Sequence, residues 1–252
     1  MPASDQNIRV VWIASLPRTG SMWTTNVVRE LVRHTGTSLL PPTVLKSDAD
    51  GVEYGRQHLA SDAPGIAVLK VHVVPSSDSS TARCIVTQRD LRDIVVSMMR
   101  FQHQGFDDVL EAIPAYVRSS DADYFYPAGP RRLVQQYAAM LAGPIGTIRT
   151  IADFLGLEVD DASIAAISTK LSKDNVRQRI SEVEKALVAR SQSGQPINPE
   201  DVVRVSKNRA RAYDHETGFQ TGHVSDYRDG DWQQILTDEQ RARLDAAIAA
   251  AR

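Results

Sequence analysis

Leu16-Pro17-Arg18-Thr19-Gly20-Ser21-Met22-Trp23 decides how this chain is read, because it forms a turn suited to phosphate without the parts of an ATPase. An apolar run, Ile8 to Ala14, leads into it. A helical pattern beginning near Trp23 continues through Val27, Val28, Leu31 and Val32. A strand, a tight turn at Gly20 and a helix N-terminus aim unpaired backbone N–H groups and the positive end of the helix dipole at an anion. The P-loop pattern G-x-x-x-x-G-K-[ST] is not met. With Gly20 at its second glycine, Ser15 falls at the first glycine, Ser21 at the lysine and Met22 at the magnesium-binding hydroxyl. ATP or GTP hydrolysis therefore fits poorly. A phosphate ligand handled without metal fits better, and no metal site is expected.

The rest of the chain narrows the class. Its 252 residues suit one domain, 1–252, with a full-sized core. The 29 Lys and Arg against 31 Asp and Glu leave a net charge of −2, so no bulk field draws nucleic acid or an anionic membrane. An anion site must then be a local cluster. Cys84, the single cysteine, sits in an apolar run and reads as a small core residue, and no internal disulfide can form. No stretch approaches about 18 apolar residues and the N-terminus lacks a basic signal-peptide region, so a soluble, cytoplasmic protein is expected.

Three β-branched runs, 8–14, 65–74 and 82–88, are separated by helix- or loop-length segments, which predicts an α/β layered fold, a central parallel sheet flanked by helices. Helical patterns cover 22–34, 91–101, 106–118 and 144–155, the last opening on Pro144 and stopping at Gly156. A long helical stretch is expected over about 160–190, a loop over 191–200, and a C-terminal helix from Asp238 with Thr237 as N-cap.

Two further segments carry chemistry. On a strand over 65–74, alternation puts Val68, Lys70, His72 and Val74 on one face, so Lys70 and His72 share a side near the carboxyl end, where open α/β sheets bind ligands. The alternative is two polar groups at an exposed strand end. In 88–101, Arg89 closes the third strand and Ser97 lies on the following helix; an arginine fork with a hydroxyl suits a phosphate monoester. Asp90 can cap that helix, and Asp93 reads as a first-turn charge.

Together these segments resemble the sulfotransferases that use 3′-phosphoadenosine 5′-phosphosulfate (PAPS). The family's Tyr-Pro-Lys-Ser-Gly-Thr-Thr-Trp is matched by residues 16–23, its Lys-Thr-His by Lys70-Val71-His72, and its Arg-Asn-Pro-Lys-Asp-Val-Ala-Val-Ser by Arg89 to Ser97 without a gap. Tyr137 to Gly156, with Pro144 and Phe154-Leu155-Gly156, resembles a fourth stretch, and Gly230-Asp231-Trp232 the C-terminal Gly-Asp-Trp. The departures are Arg18 for lysine, Met22 for threonine, Ala138-Ala139 for Glu-Asp, and Ser225-Asp226-Tyr227 for the Arg-Lys-Gly that grips a 3′-phosphate. Arg228, Arg211 or His223 would have to supply that charge. Residues 178–221 match nothing in the family.

The resemblance implies a P-loop-like sulfotransferase fold and metal-free transfer of a sulfuryl group from PAPS to a hydroxyl or amine, leaving 3′-phosphoadenosine 5′-phosphate (PAP). It implies His72 as general base, and Arg18 and Lys70 at the leaving oxygen. It implies Arg18, Thr19, Gly20, Ser21 and Met22 around the 5′-phosphate, with the Thr19 and Ser21 hydroxyls as ligands. Trp23 and Tyr137 fall to adenine, although either also reads as a core aromatic, and Arg89 and Ser97 fall to the 3′-phosphate, with Arg228 and Gly230 nearby. Aromatic content of 6% gives no aromatic box for a phenol or steroid, so the acceptor reads as a polar small molecule or carbohydrate. The charged stretch at 160–190 reads as a solvated face or a partner surface, and a homodimer stays open. The rivals are a P-loop kinase of a small metabolite and a non-catalytic PAP-binding module.

Overall fold

The β-branched runs form a five-stranded, wholly parallel sheet in the order β2-β3-β1-β4-β5. Its strands are β1 (Val10–Ala14), β2 (Leu39–Leu40), β3 (Ile66–Val71), β4 (Ala82–Gln88) and β5 (Arg132–Gln136). The structure is a computed structural model and describes residues 8–75, 79–206, 209–224, 226 and 228–252. From β1 the chain runs to β2 at one edge and returns to β3 beside β1, then crosses to β4 on the other side of β1, so the connections diverge next to β1. A crevice opens there at the carboxyl ends, where such sheets take ligands.

Period-two alternation in β1 sorts the two faces. Val11 and Ile13 point to a core shared with α1 (Ser21–His34), α8 (Pro144–Leu155) and α9 (Asp161–Lys170). Val10, Trp12 and Ala14 point to the opposite core, which holds Cys84 and is covered by α2 (Asp48–Ala60) and α6 (Ala122–Phe125). Gly55 lets α2 lie on the sheet, since a Cβ there would come within 2.1 Å of the Trp12 ring. A third cluster joins Leu16 to α3 (Leu91–Gln102), α4 (Phe106–Leu110), α5 (Ile113–Arg118), α11 (Trp232–Ile235) and α12 (Asp238–Ala251). Thr237 caps α12 in a capping box with Gln240. Among the described residues, no helix is long and apolar enough to cross a membrane.

Several boundaries differ from the sequence expectation. The second β-branched run leaves the sheet at Val71, and Val73 and Val74 are exposed. The 106–118 helix is two short ones, α4 and α5. The 160–190 stretch breaks at Leu171 and restarts at Ser172, whose hydroxyl accepts from Asn175 N–H, giving α9 and α10 (Lys173–Gln192). Nothing in the sequence pattern announced β5, α7 (Tyr137–Ala142) or the antiparallel hairpin of β6 (Val202–Ser206) and β7 (Arg209–Ala212), which lies in the segment that matches no family pattern.

Candidate active site

The turn after β1 is fixed from below by hydroxyls. Thr87 Oγ1 lies 2.6 Å from Thr19 Oγ1 and 2.8 Å from Ser15 Oγ, and Thr19 Oγ1 donates to Leu16 O at 2.7 Å. Thr19 is buried, so its hydroxyl belongs to the scaffold and not to a ligand, which corrects its expected side-chain role. Gly20 adopts φ +93° with Met140 and Tyr137 packed against it. The first helical bond of α1 runs from Thr24 N–H to Gly20 O, so the N–H groups of Ser21, Met22 and Trp23 precede the hydrogen-bonded helix, with no acidic residue in the first turn.

Arg18 has φ +68°, a left-handed conformation that costs a non-glycine residue about 1–2 kcal/mol. It is held at several points. Its Nε donates to Ser97 Oγ at 2.9 Å and its Nη2 to His223 O at 3.3 Å; its guanidinium sits 4.2 Å over the Phe101 ring, and its own carbonyl accepts from Arg89 Nη1 at 3.2 Å. Burial, with the Arg89 and Arg211 cations, lowers its pKa to about 10, which leaves it charged at neutral pH.

Lys70 on β3 and His72 just beyond it converge as the alternation predicted. Lys70 Nζ is 2.9 Å from His72 Nε2, and His72 Nδ1 is 2.6 Å from Ser15 O. A carbonyl only accepts, so Nδ1 carries the proton and Nε2 presents a lone pair to the lysine. Desolvation, then the Lys70 charge, push the His72 pKa down to about 4. Burial also lowers Lys70, with Asp48 opposing.

Arg89 lies over the Tyr137 ring at 4.1 Å, and its Nε donates to Asp229 at 2.9 Å. Asp90 caps α3 through Arg92 N–H at 2.7 Å. Asp93, read from sequence as a simple helix charge, is buried and accepts the Gly230 N–H on both oxygens, at 3.0 and 3.1 Å. Gly230 therefore anchors the C-terminal segment to α3, and neither it nor the exposed Arg228 lines the cavity. Ser225 and Tyr227 lie outside the described residues, and Asp226 pairs with Arg177.

Arg18, Lys70, His72 and Arg89 surround one cavity of about 940 Å³. Among the described residues, its lining includes Arg18, Lys46, Lys70, Arg89, Lys173 and Arg204 and no aspartate or glutamate. That is the local cluster a chain of net charge −2 needs. Ser21, Met22, Trp23, Ser97 and Tyr137 also face it. Trp23 serves the core as well, packing on the α1 cluster and donating its indole N–H to Leu171 O at 3.2 Å. Met22 packs with Val176, Ile180 and Phe219. Sequence reasoning missed Phe101 as the ring beneath Arg18, and Gln220 and Lys46 as lining groups. Phe101 lies on α3, Lys46 just before α2 and Gln220 in the 213–224 segment, which only the fold brings together, so no spacing pattern carries that signal.

Residues 9–251 match the model of the sulfotransferase domain family. Among curated proteins, none matches the chain by sequence. The fold is similar to that of the mouse sulfotransferase SULT7A1 complexed with PAP, with a TM-score of 0.63 and 16% identity over 98% of this chain and 84% of that one. It is also similar to retinol dehydratase in complex with retinol and PAP, with a TM-score of 0.60 and 17% identity over 97% of this chain and 82% of that one. A complex of retinol dehydratase with androsterone and inactive cofactor PAP gives a TM-score of 0.58 at 17% identity, over 97% and 81% of the two chains. At these identities the likeness is one of fold, whereas the family model spans nearly every residue described above: the chain belongs to the sulfotransferase domain family.

Proposed function

We propose that the chain transfers a sulfuryl group from PAPS to a hydroxyl or amine of a small-molecule acceptor, with His72 as general base. The observation that carries this reading is the convergence of Arg18, Lys70, His72 and Arg89, from the ends of three adjacent strands, and of Ser97 from α3, on a cavity lined by cations. The donor set suits a molecule with two phosphates and a sulfate. The N–H groups at the start of α1 and the Ser21 hydroxyl take the 5′-phosphate, Arg89 and Ser97 the 3′-phosphate, and Trp23 with Tyr137 the base. PAPS supplies the activated sulfuryl group. Thr19 contributes through its backbone alone.

The acceptor oxygen bonds to sulfur while the bond from sulfur to the bridging phosphate oxygen breaks, and the electron pair stays on the phosphate. Lys70 and Arg18 stabilise that developing charge. As Lys70 turns to the leaving oxygen it frees His72 Nε2, which takes the acceptor's proton, and Ser15 O keeps the ring in the required tautomer. SULT7A1 and retinol dehydratase crystallised with PAP, the latter also with androsterone or retinol; a small organic acceptor with a free hydroxyl is accordingly the class to screen, including sugars and other polyols.

Thermal shift with PAP against ADP and Mg²⁺, followed by an acceptor screen with labelled PAPS, tests the reading. PAP at a hundredfold excess over Kd adds about 2.7 kcal/mol of stability. Equal shifts by ADP and PAP would contradict it.

A further inference from the structure

His223 has no counterpart among the family motifs, yet its ring faces the reacting groups. It lines the cavity, stacks on Phe101 at 5.3 Å and 27°, and meets the Phe219 ring edge-on at 6.0 Å. Gln220 N–H donates to its Nδ1 at 3.3 Å, so the ring proton sits on Nε2. That bond is the ring's single hydrogen bond among the described residues, which leaves Nε2–H unengaged. Burial, then the charges of Arg18, Lys70, Arg211 and His72, keep the ring neutral.

The two histidines thus have opposite tautomers. His72 offers a lone pair at Nε2, and His223 offers a proton at Nε2. Its neighbours identify what that donor meets. The ring stacks on Phe101, the same ring that carries the Arg18 guanidinium at 4.2 Å, and Lys70 and His72 line the same cavity, so the donor lies beside the groups assigned to the leaving oxygen and the acceptor. A donor to the acceptor oxygen would compete for the electron pair that must attack sulfur. A donor to a sulfuryl oxygen competes with nothing and fixes the group in line. A neutral donor also suits the place, since another cation would depress the basicity of His72 further.

We propose that His223 Nε2–H binds a non-bridging oxygen of the PAPS sulfuryl group and orients it between Lys70 and the acceptor. This rests on the sulfotransfer reading, and the test separates the two. PAP has both phosphates but no sulfuryl group, so calorimetric affinities for PAPS and PAP isolate the contact. His223→Phe keeps a ring on Phe101 without the N–H, and should weaken PAPS about tenfold to a hundredfold while changing PAP less than about threefold. His223→Gln, which returns an N–H at similar reach, should recover part of the PAPS affinity. An unchanged PAPS-to-PAP ratio, or equal losses of both ligands, overturns the proposal; should His223→Phe not fold, the same ratio in His223→Leu decides. Wild-type protein that binds neither nucleotide would instead refute the sulfotransfer reading itself.

Discussion

His72 makes the fold's stability depend on pH in a way that needs no ligand to measure. Its pKa is about 4 in the folded protein against 6.5 in the unfolded chain. The unfolded chain therefore takes up a proton first as pH falls. Stability is fully present above pH 6.5 and is lost between there and pH 4. From pH 7 to pH 5 the two values correspond to about 2 kcal/mol, and water in the cavity lowers this toward about 1 kcal/mol. Replacing His72 by glutamine removes the titrating group. Urea unfolding of both proteins at the two pH values then gives the contribution as a double difference, free of the other histidines, His223 included. We expect wild type to lose about 1–2 kcal/mol more than His72→Gln on acidification. In Lys70→Met the His72 resonance followed by NMR should titrate above pH 4 but still below 6.5, because desolvation, the larger cause, remains. Equal pH slopes in wild type and His72→Gln would show that His72 is not held neutral, and the tautomer argument would fall with it.

Three other outcomes follow from the geometry. Arg18→Gly should relieve the left-handed backbone and hold or raise stability, yet lower kcat on the order of 10²–10³-fold, with Arg18→Lys intermediate. Asp229→Asn should raise PAP affinity by freeing Arg89 Nε, and the gain should vanish in an Arg89→Ala background, where calorimetry should show a loss of about 1.5–3 kcal/mol. Thr19→Val should cost about 1–3 kcal/mol of unfolding free energy while leaving PAP affinity intact, whereas Ser21→Ala should do the reverse.

What was legible in the sequence is what depends on local pattern. The strand-turn-helix at 8–34, the shared side of Lys70 and His72, the Asp90 and Thr237 caps and the buried Cys84 each follow from periodicity or one residue's chemistry. The misreadings concern direction and partnership. Thr19 sits in a matched motif, but its hydroxyl is satisfied by Thr87 across the sheet, a contact set by strand order. Asp93 looked like a helix charge because Gly230, its partner, is 137 residues away. The β6–β7 hairpin does alternate, as Val203-Arg204-Val205 and Arg209-Ala210-Arg211-Ala212, but its runs are only five and four residues long and carry arginines, and the break at Ser172 depends on a hydroxyl cap with no glycine or proline to mark it.

Arg18 ties a departure inside a matched motif to the segment around His223, which no family motif covers. Its guanidinium bonds Ser97 on α3 and the carbonyl of His223, and Phe101 beneath it also receives Arg211, which lies 3.8 Å from that ring and donates to Phe101 O. Lysine at position 18 has no fork to satisfy two such acceptors with one rigid group. The exchange of lysine for arginine in the turn and the arrival of His223 at the cavity are thus two sides of one contact. A ligand that draws Arg18 toward its phosphate loosens the bonds to both Ser97 and His223 O. Ligand binding at the turn should therefore be registered in the 219–224 segment, where hydrogen exchange with and without PAP can read it. Arg18→Lys, which keeps the charge without the second bond, should weaken that response.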